Sequence, residues 1–223
     1  MGISLIKGFG SNQINLKIIL IALGLASPPL LIKESNKMTD AIKADLLSAN
    51  QLFAIANNCP TDRLTALLPY LNEVMHKSDI TSKARKAHFL AQVAHESDGF
   101  NTNEEYADGY DYEGRVDLGN VETGDGIKFK GRGFIQVTGR ANYAECSQSL
   151  SVDFVSSPEK LATNEYAALS AGWFWDKNSL NKIADDLSLS SEETCIQITR
   201  IVNGGENGLD QRLEYLDRAM SVL

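Results

Sequence analysis

The chain has 223 residues, of which 43% are hydrophobic and 22% charged, enough to bury one sizeable core and short enough that one domain is the default. A net charge of −8 and a pI near 4.9 argue against a nucleic-acid binder. Cys59, Cys146 and Cys195 are odd in number, far apart and without CxxC or Cys/His spacing, so neither a disulfide framework nor a metal site is indicated, and no cofactor is expected.

Residues 1–37 differ from the rest. Ile18 to Ala26 is an apolar run preceded by Lys7 and Lys17, with no acidic residue before Glu34. A membrane-spanning helix takes roughly 20 apolar residues, and Ser27-Pro28-Pro29 interrupts this run earlier. Two readings stand: a secretory signal with Gly24-Leu25-Ala26 as a small-x-small cleavage site, or an extension upstream of a start at Met38. Pro28 weakens the first. In both, residues 1–37 lie outside the core and residues 38–223 form the functional domain.

From Thr39 the pattern is helical. Thr39 is placed to cap a helix reaching about Ile55, with Ile42, Leu46, Phe53 and Ala56 as core candidates. Thr61 is expected to cap a second helix, in which Leu64, Leu67, Leu68, Leu71, Val74 and Met75 keep the helical period. Pro69 should kink or split it. In a third, Ala84, Ala87, Leu90, Ala91 and Ala94 recur at helical steps; Thr81 or Ser82 can cap its start and Gly99 can end it.

Residues 100–135 change character, with seven glycines interleaved with Tyr106, Tyr110, Tyr112 and Phe129. They read as a long functional loop with at most a short hairpin near Lys128 to Val137. Helices resume after Thr138. Ser157-Pro158 opens one, Tyr166 to Trp175 is an apolar second, and the Ser190/Glu193 capping box starts a third that runs to about Val202. Asn203-Gly204-Gly205 breaks the chain before a final amphipathic helix from Leu209 to Val222. Trp173 and Trp175 are read as core residues before sugar platforms.

The third helix delivers a carboxyl group. Glu96 falls in its last turn, among unpaired carbonyls and apolar neighbours, and both surroundings favour the protonated form that a general acid needs. Glu105 lies nine residues on, in the loop. If the loop turns back, the two carboxylates face each other across a groove. Such a pair suits glycosidic hydrolysis, with inversion where roughly 6.5–9.5 Å separates them. On spacing alone the plainer reading, two surface or N-cap carboxylates, is the favoured one.

The stretch Lys130 to Tyr143 has glycines that let backbone approach a ligand. Gln136 and Thr138 alternate onto one side of any strand there, where an amide and a hydroxyl can hold a water or an acetamido group. The stretch lacks P-loop spacing. An anionic polymer would need local positive charge, and Lys128, Lys130, Arg132 and Arg140 fall within thirteen residues that contain no Asp or Glu.

His95-Glu96-Ser97, Glu105, the run Tyr112 to Asn120, Lys130 to Tyr143 and Asn203-Gly204-Gly205 occur in an order that resembles glycoside hydrolase family 19, across about residues 60–220. That family holds chitinases and phage-type endolysins. The resemblance implies a mainly α, lysozyme-like, two-lobed domain with a central cleft. By the same resemblance Glu96 is the general acid, Glu105 the base that activates water, and Thr138 the hydroxyl that helps hold it. Gln136, Asn142 and Asn203 would contact sugar, Arg212 would support the glutamates, and His95 would orient the acid or pack beneath it.

The implied activity is an inverting, metal-free hydrolysis of β-1,4 bonds in N-acetylated amino-sugar polymers. Peptidoglycan is the first substrate, as for a lysozyme-like endolysin, and chitin the second. A non-catalytic cell-wall-binding module is the distant alternative. The expected partner is polysaccharide rather than nucleic acid or membrane, and the expected state is monomeric. The site of action would be the cell envelope or beyond, reached through an N-terminal signal, or after lysis if residues 1–37 are no signal. The chain lacks the cysteine-rich features of plant chitinases. It also has Asp98 where His-Glu-Ser-Gly-Gly is commoner, a third carboxylate expected to raise the pKa of the acid.

Overall fold

The computed structural model describes residues 46–223, and Leu47–Leu223 form one compact unit. The expected N-terminal extension, Thr39 and Ile42 lie outside the described residues. Nine α-helices occur among those described: α1 (Ala49–Ile55), α2 (Thr61–Lys77), α3 (Lys83–Glu96), α4 (Asp125–Lys128), α5 (Arg140–Leu150), α6 (Asn164–Lys177), α7 (Leu180–Ala184), α8 (Ser191–Asn203) and α9 (Leu209–Val222). No strand occurs among the described residues, and the expected hairpin is reduced to two isolated bridges, Glu104 to Arg132 and Arg132 to Val137. None of these helices is long and apolar enough to cross a membrane.

Helix α3 is the axis of the larger lobe. Every residue from Lys86 to Ala94 is buried, so it presents no solvent face. Such a helix is held by packing on all sides rather than by one amphipathic stripe. Helix α9 packs along it, and Phe89 meets Trp175 edge-on at 5.3 Å between ring centroids. A smaller cluster of Phe129, Val137, Tyr143, Cys146, Phe154 and Leu161 forms the second lobe around α5. Ile135 packs against both clusters, which places the Lys130–Tyr143 stretch between the lobes.

Several local expectations are corrected. The first helix does not run unbroken to Ile55. Leu46 to Ser48 are not helical, and Ser48 caps α1 through a capping box with Gln51, leaving Leu46 exposed rather than in the core. Thr61 is the first residue of α2 and not its cap, a place taken by Pro60. Pro69 does not split α2, which runs as one helix because Leu64, Leu67, Leu71, Val74 and Met75 all bury one face. That packing outweighs a proline cost of about 3 kcal/mol. Ser82 caps α3, the Ser190/Glu193 box opens α8, and Gly204 ends α8 at φ +76°. All three cysteines are free and buried.

Candidate active site

The chain leaves α3 through an unusual corner. Asp98, Gly99 and Phe100 all have left-handed backbone, at φ +52°, +67° and +67°. A Cβ on Gly99 would lie 2.8 Å from Asn58 and from the Tyr215 hydroxyl, so only glycine fits there. Phe100 is wholly buried and meets Phe134 edge-on, which fixes the exit of the corner. Past it, the Glu105 N–H donates to the Gly131 carbonyl at 2.9 Å, tying the loop back to the Lys130–Tyr143 stretch.

Glu96 ends α3 with a side chain 15% exposed and ion-pairs through Oε1 with Arg212, whose side chain is fully buried. The surroundings read from sequence, carbonyls and apolar groups, are therefore corrected. A cation from α9 faces the carboxyl group, and a buried guanidinium needs such a partner. His95 donates from Nδ1 to Gln211 Oε1 at 2.6 Å, and its ring lies against Gly208. Burial, with the Arg212 guanidinium nearby, holds the His95 imidazole below its usual range, so it is neutral at pH 7.

Glu105 is held differently. Its Oε2 accepts from the Tyr112 hydroxyl at 2.8 Å, while Oε1 is buried without a partner. Burial first, and this bond second, push the Tyr112 phenol up to about 12, so it remains a donor throughout the neutral range. An orphaned carboxylate oxygen is rare in a folded protein and marks a place for a water or ligand.

Around Gly131 three predicted residues come together. A Cβ on that glycine would lie 2.8 Å from Gln136 Oε1, 3.2 Å from Glu105 Oε2 and 3.3 Å from Thr138 Oγ1. The Thr138 hydroxyl donates its proton to the Gln136 carbonyl at 2.9 Å, which leaves its oxygen only as an acceptor. Gln136 is itself left-handed at φ +53°, a strained conformation for a residue with a side chain. Asn142 ties α5 to this turn by donating to the Thr138 carbonyl at 2.8 Å. Gln136, Thr138 and Asn142 line a cavity of about 210 Å³ with Trp173, Phe174 and Val202. Trp173 is thus half-buried at the cavity, with Lys177 Nζ 5.1 Å from its ring centre, while Trp175 is the core residue. Asn203 is exposed beside Val202 and makes no hydrogen bond to the other site residues among those described.

The basic run does not form a free positive patch. Arg132 pairs with Glu104 at 2.9 Å, and Lys130 with Glu104 at 3.3 Å. Arg140 pairs with Asp125 at 2.5 Å and Glu122 at 2.6 Å, and Lys128 lies over the Phe129 ring. Asp98 turns to the exposed Tyr106, accepting its hydroxyl proton at 2.9 Å. Two contributors escaped sequence reading: Tyr112, quoted only as part of a run, and Gln92. The signal for Gln92 is a polar residue on the buried face four positions before Glu96.

A two-lobed helical domain that gathers a loop glutamate, an amide and a hydroxyl around one glycine between its lobes, and ends its central helix in a glutamate paired with a buried arginine, has the build of a glycoside hydrolase. Comparison with known proteins gives the family. The glycoside hydrolase family 19 model, described as Chitinase class I, matches residues 70–190. A glycosyl hydrolase family 19 domain-containing protein of Haemophilus influenzae is 33% identical over 180 residues, covering 66% of this chain and 84% of that protein. The acidic 27 kDa endochitinase of Solanum lycopersicum is 33% identical over 157 residues, but the alignment covers only 61% of its length, with 63% of this chain. Chitinase C of Streptomyces griseus shares the fold with a TM-score of 0.60 at 19% identity, over 80% of this chain and 76% of that one. The chain belongs to glycoside hydrolase family 19.

Proposed function

We propose that this glycoside hydrolase cleaves β-1,4 bonds between N-acetylated amino sugars with inversion of configuration. Glu96 gives its proton to the glycosidic oxygen, and the carboxylate left behind is stabilised by the Arg212 guanidinium already bound to it. A water then donates one hydrogen to Glu105 Oε1 and the other to Thr138 Oγ1, so that its free electron pair is turned to the anomeric carbon. Tyr112 keeps the second oxygen of Glu105 engaged and so directs Oε1 to this task. The observation that carries the reading is the buried, unpartnered Oε1 of Glu105 on a carboxylate grouped with Thr138 and Gln136 around Gly131.

A neutral polymer of N-acetylglucosamine, such as chitin, is the substrate that the charges support best. The net charge is −8, and three of the four cations expected to receive an anionic wall polymer, Lys130, Arg132 and Arg140, are engaged by Glu104, Asp125 and Glu122. Relatives named endochitinases agree with this. Peptidoglycan is the second reading, favoured by the three free cysteines, which form no disulfide. Incubation with chitin oligomers and, separately, with purified sacculi distinguishes them through the new reducing end. Proton NMR during turnover should show the α-anomer first. An initial β-anomer would reject inversion, and no cleavage of either polymer would reject the whole reading.

A further inference from the structure

Behind the Glu96–Arg212 pair runs a line of buried polar groups that the proposed mechanism does not use. Gln92 and Glu96 stand four residues apart on α3, hence on one helix face. Gln92 is fully buried. Its Oε1 accepts from Arg212 Nη1 at 2.5 Å, and its Nε2 donates to Thr199 Oγ1 of α8 at 3.1 Å. Arg212 completes its contacts through Nε, which donates to the Asn207 carbonyl at 3.3 Å, and Nη2, which holds Glu96. Thr199 is also fully buried.

These contacts have a direction. A carboxamide has one accepting end and one donating end. Flipping that of Gln92 would point an NH2 group at a guanidinium, which can only donate. The guanidinium therefore selects the amide orientation in which Gln92 accepts from Arg212, and the Thr199 hydroxyl, able to donate or to accept, anchors the far end of the amide by accepting from Nε2. The guanidinium is planar, so a bond at Nη1 fixes where Nη2 lies.

We infer that Gln92 is a positioning residue, anchored by Thr199, that sets the plane of the Arg212 guanidinium and through it the aim of the Glu96 carboxyl group. This rests on Glu96 being the acid, as proposed above. An error in aim acts on the chemical step more than on sugar binding, because the acid must meet the glycosidic oxygen within a narrow geometry.

The test uses Gln92→Met, which keeps length and apolar volume but removes both bonds, together with Thr199→Val and the double variant. Gln92→Met should lower kcat on chitin oligomers by about 10- to 100-fold with KM changed less than about threefold. Thr199→Val should lower kcat about three- to tenfold, also without a KM change, and the double variant should be no slower than Gln92→Met alone. Folded Gln92→Met with kcat within twofold of the parent overturns the inference, and so do losses that multiply in the double variant. If Gln92→Met fails to fold, Thr199→Val decides: lowered kcat at constant KM supports the relay, and parental kcat overturns it. Should the parent cleave neither polymer, the proposed function fails instead. A crystal structure of Gln92→Met or Thr199→Val then tests the relay by itself, with a displaced Arg212 guanidinium supporting it and an unmoved one refuting it.

Discussion

The two candidate catalytic glutamates are built on opposite plans. Glu96 stands at the end of a helix buried on every side, and its charge is met by an arginine with no exposed side-chain surface. Glu105 stands on irregular chain, with one oxygen held by a tyrosine and the other by nothing. The first arrangement is complete before substrate arrives; the second is completed only by a water or a substrate. The contrast fits the roles proposed for the two residues: an acid must be stabilised after it has given up its proton, so a resident cation helps it. A base must receive a proton from an incoming molecule, so an empty acceptor helps it.

The contrast can be broken by mutation, most severely at the carboxylates themselves. Glu96→Gln and Glu105→Gln should each cut turnover by about 10²–10⁴-fold. They should differ in stability. Glu96→Gln weakens a bond to a buried cation and should lose about 1–3 kcal/mol in urea denaturation, whereas Glu105→Gln removes a buried oxygen that has no partner and should lose less than about 1 kcal/mol. Equal stability losses would erase the distinction.

Acid should attack the helical side through His88. This residue of α3 is 2% exposed, its Nδ1 has no partner, and burial pushes its imidazole down to about 4 from an ordinary 6.5. Because the folded value is the lower one, the stabilisation from keeping the ring neutral is fully present above pH 6.5. It is lost as pH falls from there to about 4, by up to about 3 kcal/mol. Denaturation curves at pH 7, 5 and 4 measure the slope, and His88→Leu should flatten it.

The loop side should respond to a smaller change. Gly131→Ala puts a methyl group among the Gln136, Glu105 and Thr138 oxygens and should lower kcat about 10- to 100-fold while the melting temperature moves little. An alanine enzyme with full activity would show that the cradle is not where water works. The smallest effect belongs to the corner between the glutamates. Asp98→Gly relieves one left-handed residue and should raise stability by no more than about 1 kcal/mol, read as a small rise in Tm.

Much of this was legible in the sequence because much of it is local. The boxes and glycines that open and close α8 and α9, and the period that marks α3, are set by neighbours within a few residues. The motifs around Glu96, Glu105 and Thr138 pointed to the candidate site residues. What escaped depends on partners far along the chain. Pro69 read as a break because its local cost is visible and the burial that offsets it is not. The Lys130–Arg140 cations read as a free patch because Glu104, Glu122 and Asp125, all earlier in the sequence, are their partners. Gln92 meets Arg212 across 120 positions, and no period announces that.

The pairing of Glu96 with Arg212 spans 116 residues of chain, which matters to how the protein is made. The glutamate leaves the ribosome long before its arginine. A nascent chain that has not yet reached residue 212 carries Glu96 on α3 without the cation that receives its charge. The helix that brings Arg212 also brings Tyr215, which packs against the corner at Gly99. Synthesis of α9 therefore delivers both the charge and the clamp at once, and the pairing forms as a late step rather than growing with the length of the chain.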